Sequence, residues 1–188
     1  MGAIESPTQL KLTIDQFRRM AEAGVFAPDA RVELINGAVY EMAPIGSLHA
    51  SLVDRIAQKL TLRLGDSVIV GIQRPVQLPE DSEPQPDLML LRARTDYYAT
   101  RHPLPADVLL VIEVADSSLR FDRTVKAALY AQRGIAEYWV VDVNARTIEV
   151  YRDPAPAGYA QIRLLSGDAS IAPAALPDCR FTPAELLG

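Results

Sequence analysis

The sequence predicts an α/β fold, a mixed central β-sheet flanked by helices, and three observations carry that expectation. The run Val108-Leu109-Leu110-Val111-Ile112-Glu113-Val114-Ala115 is apolar and rich in branched residues, as a strand buried on both faces must be. A helical pattern from Leu119 to Gln132 and a second strand run from Glu137 to Val143 follow it. Strand, helix and strand then form a right-handed crossover in a parallel pair. The remaining strands are expected to be antiparallel, which makes the sheet mixed.

The elements before the crossover are each signalled locally. Thr13-Ile14-Asp15-Gln16-Phe17 is a helix start, with Thr13 as cap and Gln16 completing a capping box; Gly24 ends the helix. Val32 to Met42 is a hairpin around Asn36-Gly37, so Ile35 pairs with Ala38 and Glu33 lies across from Tyr40. Ser47 to Leu64 is amphipathic, with Leu52, Val53, Ile56, Leu60 and Leu64 on one stripe that His49 shares. Val68 to Gly71 and Arg74 to Leu78 have strand character. Pro79 to Pro86 is a loop, Asp87 to Leu91 a strand, and Thr100 to Pro105 a further loop.

After the crossover, Thr147 to Arg152 pairs back as a hairpin and Tyr159 to Leu164 adds an edge strand. Ala169 to Pro177 is expected to be a surface connection. Thr182 caps a short terminal helix with Pro183 in its first turn. No linker, repeat or low-complexity block interrupts the 188 residues, so residues 1–188 are expected to form a single domain.

Composition narrows the function classes. Hydrophobic residues at 49% and charged residues at 23% are ordinary globular usage. No apolar run approaches the roughly 20 residues of a membrane helix, and Met1 to Ser6 lacks a signal-peptide pattern. Gly2 is read as an incidental start, not as a myristoylation site. The single Cys179 has no disulfide or zinc partner, and a cytoplasmic setting fits best. A net charge of -5 lowers the expectation of a nucleic-acid partner without removing it. Basic residues gather between Arg92 and Arg133, where Arg92, Arg94, Arg120 and Arg123 are candidates for phosphate contact.

Glu113 is the residue hardest to accommodate. A carboxylate inside a buried strand costs several kcal/mol unless it is paired, protonated or bound to a metal. Pro86-Asp87 opens a second apolar run, and Lys126 lies on the helix after Glu113. Two strand carboxylates and a nearby lysine are the components of a Mg²⁺-dependent phosphodiesterase. Asp122, Lys126 and Tyr130 recur at i, i+4 and i+8 on one helical face. A salt-bridged structural glutamate is the competing reading.

Taken in order, Pro86-Asp87, Ile112-Glu113-Val114, Asp122-x-x-x-Lys126-x-x-x-Tyr130 and Gly134-Ile135-Ala136-Glu137-Tyr138-Trp139-Val140-Val141-Asp142 resemble the Uma2 family, part of the PD-(D/E)XK nuclease superfamily. Thr13 to Phe17, the Glu33 to Gly37 hairpin and His49 belong to the same resemblance, which spans residues 11 to 152. It implies a restriction-endonuclease-like fold and a Mg²⁺ (or Mn²⁺) dependent endonuclease acting on DNA. It implies Asp87, Glu113 and the backbone carbonyl of Val114 as metal ligands. The superfamily places its lysine two residues after the second acid; here that position is Ala115, and Lys126 takes the part of catalytic base or transition-state stabiliser. The resemblance also implies Glu33, His49, Asp122 and Tyr130 as auxiliary site residues; a hydrogen-bonded core histidine and a hairpin surface acid are the competing readings of His49 and Glu33. Cutting both strands of a duplex favours a homodimer. A non-catalytic binding module and a metal hydrolase of a small phosphoester remain the rival readings.

Overall fold

The computed structural model describes residues 8–188; the readings of Met1 to Ser6 and of Gly2 lie outside them. The chain begins with α1 (Ile14–Glu22), the hairpin β1 (Val32–Ile35) and β2 (Ala38–Glu41), and the long α2 (Ser47–Leu64). Next come β3 (Val68–Ile72), β4 (Leu88–Arg92) and β5 (Val108–Ala115). A helical stretch over 119–132 follows in three parts: α3 (Leu119–Phe121), a π-helical segment (Asp122–Lys126) and α4 (Ala127–Gln132). β6 (Glu137–Asp142), β7 (Thr147–Ala155), β8 (Gly158–Ser166) and α5 (Pro183–Leu187) complete it.

β3 to β8 form one six-stranded sheet in sequence order. Only β5 and β6 run parallel, with Glu113 opposite Val140; every other neighbouring pair is antiparallel. The expected mixed sheet is therefore present, and the crossover occupies its centre. β1 and β2 pair separately, with Glu33 opposite Tyr40 as the Asn-Gly turn requires.

Alternation along the strands sends side chains into two cores, because successive residues of a strand point to opposite faces. Leu110, Ile112 and Val114 of β5 pack with Leu52, Ile56 and Leu60 of α2. Val111 and Ala115 pack on the other face with Ala127, Leu129 and Tyr130 of α4. Glu113 has the parity of Val111 and Ala115 and so lies on the α4 side. A third, small cluster joins Ile14 and Phe17 of α1 to Leu34 of β1. Its helix starts as the sequence dictates: Thr13 Oγ1 accepts the Gln16 amide at 3.2 Å and Gln16 Oε1 accepts the Thr13 amide at 2.9 Å. Such a cap contributes about 1 kcal/mol.

Three expectations need correction. Arg74 to Leu78 is not a strand: Gln73 takes a φ of 43° and Pro75 has no amide to donate. The amides of Val76 and Leu78 bond back to the carbonyls of Pro84 and Ser82 in the loop that follows, that of Gln77 turns the other way to the Pro103 carbonyl, and only the isolated Leu78–Ser82 bridge forms. Ala169 to Pro177 is not a plain surface connection, because Ile171 and Phe181 exchange backbone hydrogen bonds at 2.9 and 2.7 Å and both are buried. The helix over 119–132 contains a π-helical turn where a regular α-helix was expected.

Candidate functional site

Asp87 and Glu113 meet because β4 and β5 are antiparallel with Leu88 opposite Ile112. The residue before β4 then falls beside the residue after Ile112. The Val114 amide donates to Asp87 Oδ2 at 2.9 Å, and the Asp87 amide approaches Glu113 Oε2 at 3.4 Å. Pro86, which cannot donate to a ladder, precedes this junction.

The helical stretch supplies the cation. Lys126 Nζ donates to Glu113 Oε1 at 2.9 Å and lies 3.3 Å from Glu33 Oε2. The Tyr130 hydroxyl donates to the same Glu113 oxygen at 3.0 Å. Asp122, one turn before Lys126, is buried and accepts from the Ser118 hydroxyl at 2.5 Å. Lys126 closes the π-helical segment that Asp122 opens, a widened turn of the kind that often marks functional sites.

Two further elements close the site. The hairpin delivers Glu33, whose Oε2 accepts the Gln85 amide at 3.2 Å, while Leu34 and Glu83 exchange backbone hydrogen bonds. The first turn of α2 delivers His49, with Nε2 3.0 Å from Asp87 Oδ2. Gln73 donates to the other Asp87 oxygen at 3.3 Å. Every residue expected at the site is thus brought into one neighbourhood. Tyr130 alone does not line the cavity; it stands behind Glu113.

That cavity has a volume of about 320 Å³. Its walls carry six carboxylates, those of Glu33, Glu41, Asp87, Glu113, Asp116 and Asp122, against the cations of Arg31 and Lys126. Arg92, Arg94, Arg120 and Arg123, the candidates for phosphate contact, do not line it. Arg92 ends β4 at the opposite end from Asp87, and Arg94 lies beyond it, held by Asp96 through two bonds of 2.8 Å. Arg123 is bound to Glu149. Sequence clustering counted these charges without knowing which end of a strand each would occupy.

The electrostatics follow from burial. Burial pushes the Glu113 carboxyl well above the usual range, with the Lys126 charge opposing. Burial likewise raises Asp122, against the pull of Lys126 and Ser118. Burial disfavours the Lys126 ammonium, but Glu113, Glu33 and Asp122 outweigh it and hold the lysine protonated. Burial would raise Asp87 too, yet the His49 hydrogen bond and charge, with the Val114 amide, bring it below its ordinary value. The Asp87 hydrogen bond raises His49 in return.

Whether these groups suit a metal depends on free oxygen lone pairs. Asp87 Oδ1 has only the Gln73 amide, and Glu113 Oε2 only a long backbone contact. Among the described residues no three His, Cys, Asp or Glu side chains form a ready-made cage. Mg²⁺ does not require one, since it keeps several waters and takes one or two carboxylates. The donor set fits.

Sequence reasoning missed Arg31, Gln73, Gln85, Asp116 and Ser118. Arg31 was within its reach: the Asn-Gly hairpin fixes the register, and Arg31 is two residues before Glu33 on the same face.

Comparison with known proteins agrees with this architecture. A protein from Anabaena variabilis ATCC 29413, described as "a putative nuclease belonging to DUF820", superimposes with a TM-score of 0.74 at 14% identity. The match covers 94% of this chain and 97% of that one, and establishes a shared fold. No curated protein matches the chain. The profile of the Uma2 family, described as "Putative restriction endonuclease", matches residues 14–184, nearly the whole of the chain, and on that match the chain belongs to the Uma2 family.

Proposed function

We propose that the chain is a Mg²⁺-dependent endonuclease that hydrolyses phosphodiester bonds in DNA. The observation that carries this reading is the junction of Asp87 and Glu113 at the facing ends of β4 and β5, with Lys126 bonded to the second acid. Asp87, Glu113 and the Val114 carbonyl would hold the ion, which when bound supplies charge neutralisation for the phosphate and an acidified water.

The protein's own groups divide the remaining work. His49 and the Val114 amide orient Asp87; Tyr130 orients Glu113 from behind. Lys126 is held charged by its carboxylate neighbours, so it suits stabilisation of the developing negative charge better than abstraction of a proton. The position two residues after Glu113 is Ala115, buried against the α4 core, and the ammonium comes instead from the following helix.

We place this activity in a single domain acting as a cytoplasmic homodimer, since one site cuts one strand. No helix among the described residues is long and apolar enough to cross a membrane. The test is nicking of supercoiled plasmid with Mg²⁺ or Mn²⁺ by the parent, Asp87→Asn, Glu113→Gln and Lys126→Ala. The two acid variants should lose both Mn²⁺ binding and cleavage. Lys126→Ala should keep metal binding and lose cleavage about 10²- to 10³-fold. DNA binding without cleavage by the parent would return the non-catalytic reading, and cleavage confined to small phosphoesters the other rival.

A further inference from the structure

The charge balance of the cavity leaves one group without a role. Six carboxylates repel a phosphate, and among the lining groups that can carry positive charge Lys126 is already committed to Glu113 and Glu33, and His49 to Asp87. Arg31 is not. Its guanidinium makes one long side-chain hydrogen bond, 3.4 Å to the Ala43 carbonyl, and it has no carboxylate partner within salt-bridge distance among the described residues. Arginine carries five donors, so most of this fork is unused.

Its placement is built in, not incidental. The Arg31 carbonyl accepts the Met42 amide at 2.8 Å, which extends the β1–β2 ladder by one pair and anchors the residue at the base of the hairpin. Alternation then puts Arg31, Glu33, Tyr40 and Met42 on one face, and all four line the cavity. The opposite face, with Val32, Leu34 and Val39, packs on α1 and fixes the hairpin. A half-buried arginine on a ladder, lining an acidic cavity with most of its donors unpaired among the described residues, matches the planar, bidentate recognition of phosphate.

We infer that Arg31 is a substrate-binding residue that holds a phosphate of the DNA strand in this cavity, beside the carboxylates that would hold the ion. The inference rests on the nuclease reading above. It assigns the phosphate contact to the hairpin, and not to the arginines of β4 and α3.

The test uses the full chain and a fluorescent DNA duplex, with Ca²⁺ in place of Mg²⁺ so that binding is read without cutting. Affinity is measured against salt for the parent, Arg31→Gln and Arg31→Lys, alongside Mn²⁺ calorimetry and Tm. Glutamine keeps a donor for the Ala43 carbonyl and removes the charge; lysine keeps the charge. Arg31→Gln should bind DNA about tenfold more weakly and lose roughly 0.9 from the salt slope, the share of one phosphate. Arg31→Lys should retain the slope, and both should keep the parental Mn²⁺ affinity and Tm. A parental slope in Arg31→Gln overturns the assignment and leaves the nuclease reading standing. Equal loss in both variants with a lowered Tm means a structural role and overturns it as well. A parent that binds no DNA overturns both.

Discussion

Lys126 Nζ stands 2.9 Å from Glu113 Oε1 and 3.3 Å from Glu33 Oε2, so one ammonium joins the central strand to the outlying hairpin. All three groups are buried. The buried strand glutamate is therefore paired as a structural salt bridge would be, and yet its other oxygen lies 3.4 Å from the Asp87 amide, and both residues line the cavity. The two readings of Glu113 do not exclude each other.

The pairing sets an order of stabilities. Lys126→Met leaves Glu113, Glu33 and Asp122 buried without their common cation, and should cost about 3–5 kcal/mol. Glu113→Gln leaves Lys126 with Glu33 and removes a carboxylate that burial disfavours, and should cost clearly less. Urea denaturation of the metal-free proteins checks this. A larger loss in Glu113→Gln would mean that the glutamate, not the lysine, holds the cluster together.

His49 should act through Asp87. Groups that hydrogen-bond a metal ligand orient it, and their removal lowers metal affinity about 10- to 100-fold. His49→Ala should weaken Mn²⁺ binding by that factor in calorimetry. Gln73→Ala, whose contact with Asp87 is longer at 3.3 Å, should weaken it less. Unchanged affinity in His49→Ala would show that the histidine only fills the wall.

Asp107 predicts a pH dependence away from the site. The Arg101 hydrogen bonds hold its carboxyl below the ordinary value of 3.8, with burial opposing and the Leu104 amide assisting. A carboxyl lowered in the folded state contributes stability above its unfolded pKa and loses it as pH falls through the folded pKa. Asp107→Asn should therefore cost about 1 kcal/mol at neutral pH, a figure kept small because solvent screens the partly exposed Arg101. The difference should fade as the pH drops below 3.8, read from urea midpoints across an acid series.

Phe181 tests the corrected carboxy-terminal connection. It is 1% exposed, pairs with Ile171 through the backbone and carries the Arg63 guanidinium 4.6 Å above its ring. Phe181→Ala should cost about 3–5 kcal/mol, as for other buried aromatics. A mobile surface strap would lose under 0.5 kcal/mol.

Elements with a strong local signal were legible in the sequence. The Asn36-Gly37 turn sets a hairpin register that needs no distant partner, and Thr13 with Gln16 starts a helix from within four residues. Continuous apolar runs gave β5 and β6 their central place, because only strands covered on both faces tolerate them. Arg74 to Leu78 failed for the converse reason. Its residues have strand character, but their amides bond to two loops, at 82–84 and at Pro103, whose positions no local pattern describes.

The sequence by itself determined which residues are the candidates for the chemistry: a glutamate that an apolar strand cannot bury alone, an acid after a proline, and a lysine at helical spacing from Asp122 and Tyr130. Tertiary structure decided their company. The antiparallel register of β4 on β5 put Asp87 beside Glu113, and the chain after β5 folded Lys126 back onto the second acid. The same packing left Arg92 and Arg94 at the wrong end of the sheet and brought Arg31 to the cavity. Charge contacts depend on distances in space, and a sequence specifies those only where a ladder or a helix converts spacing into position.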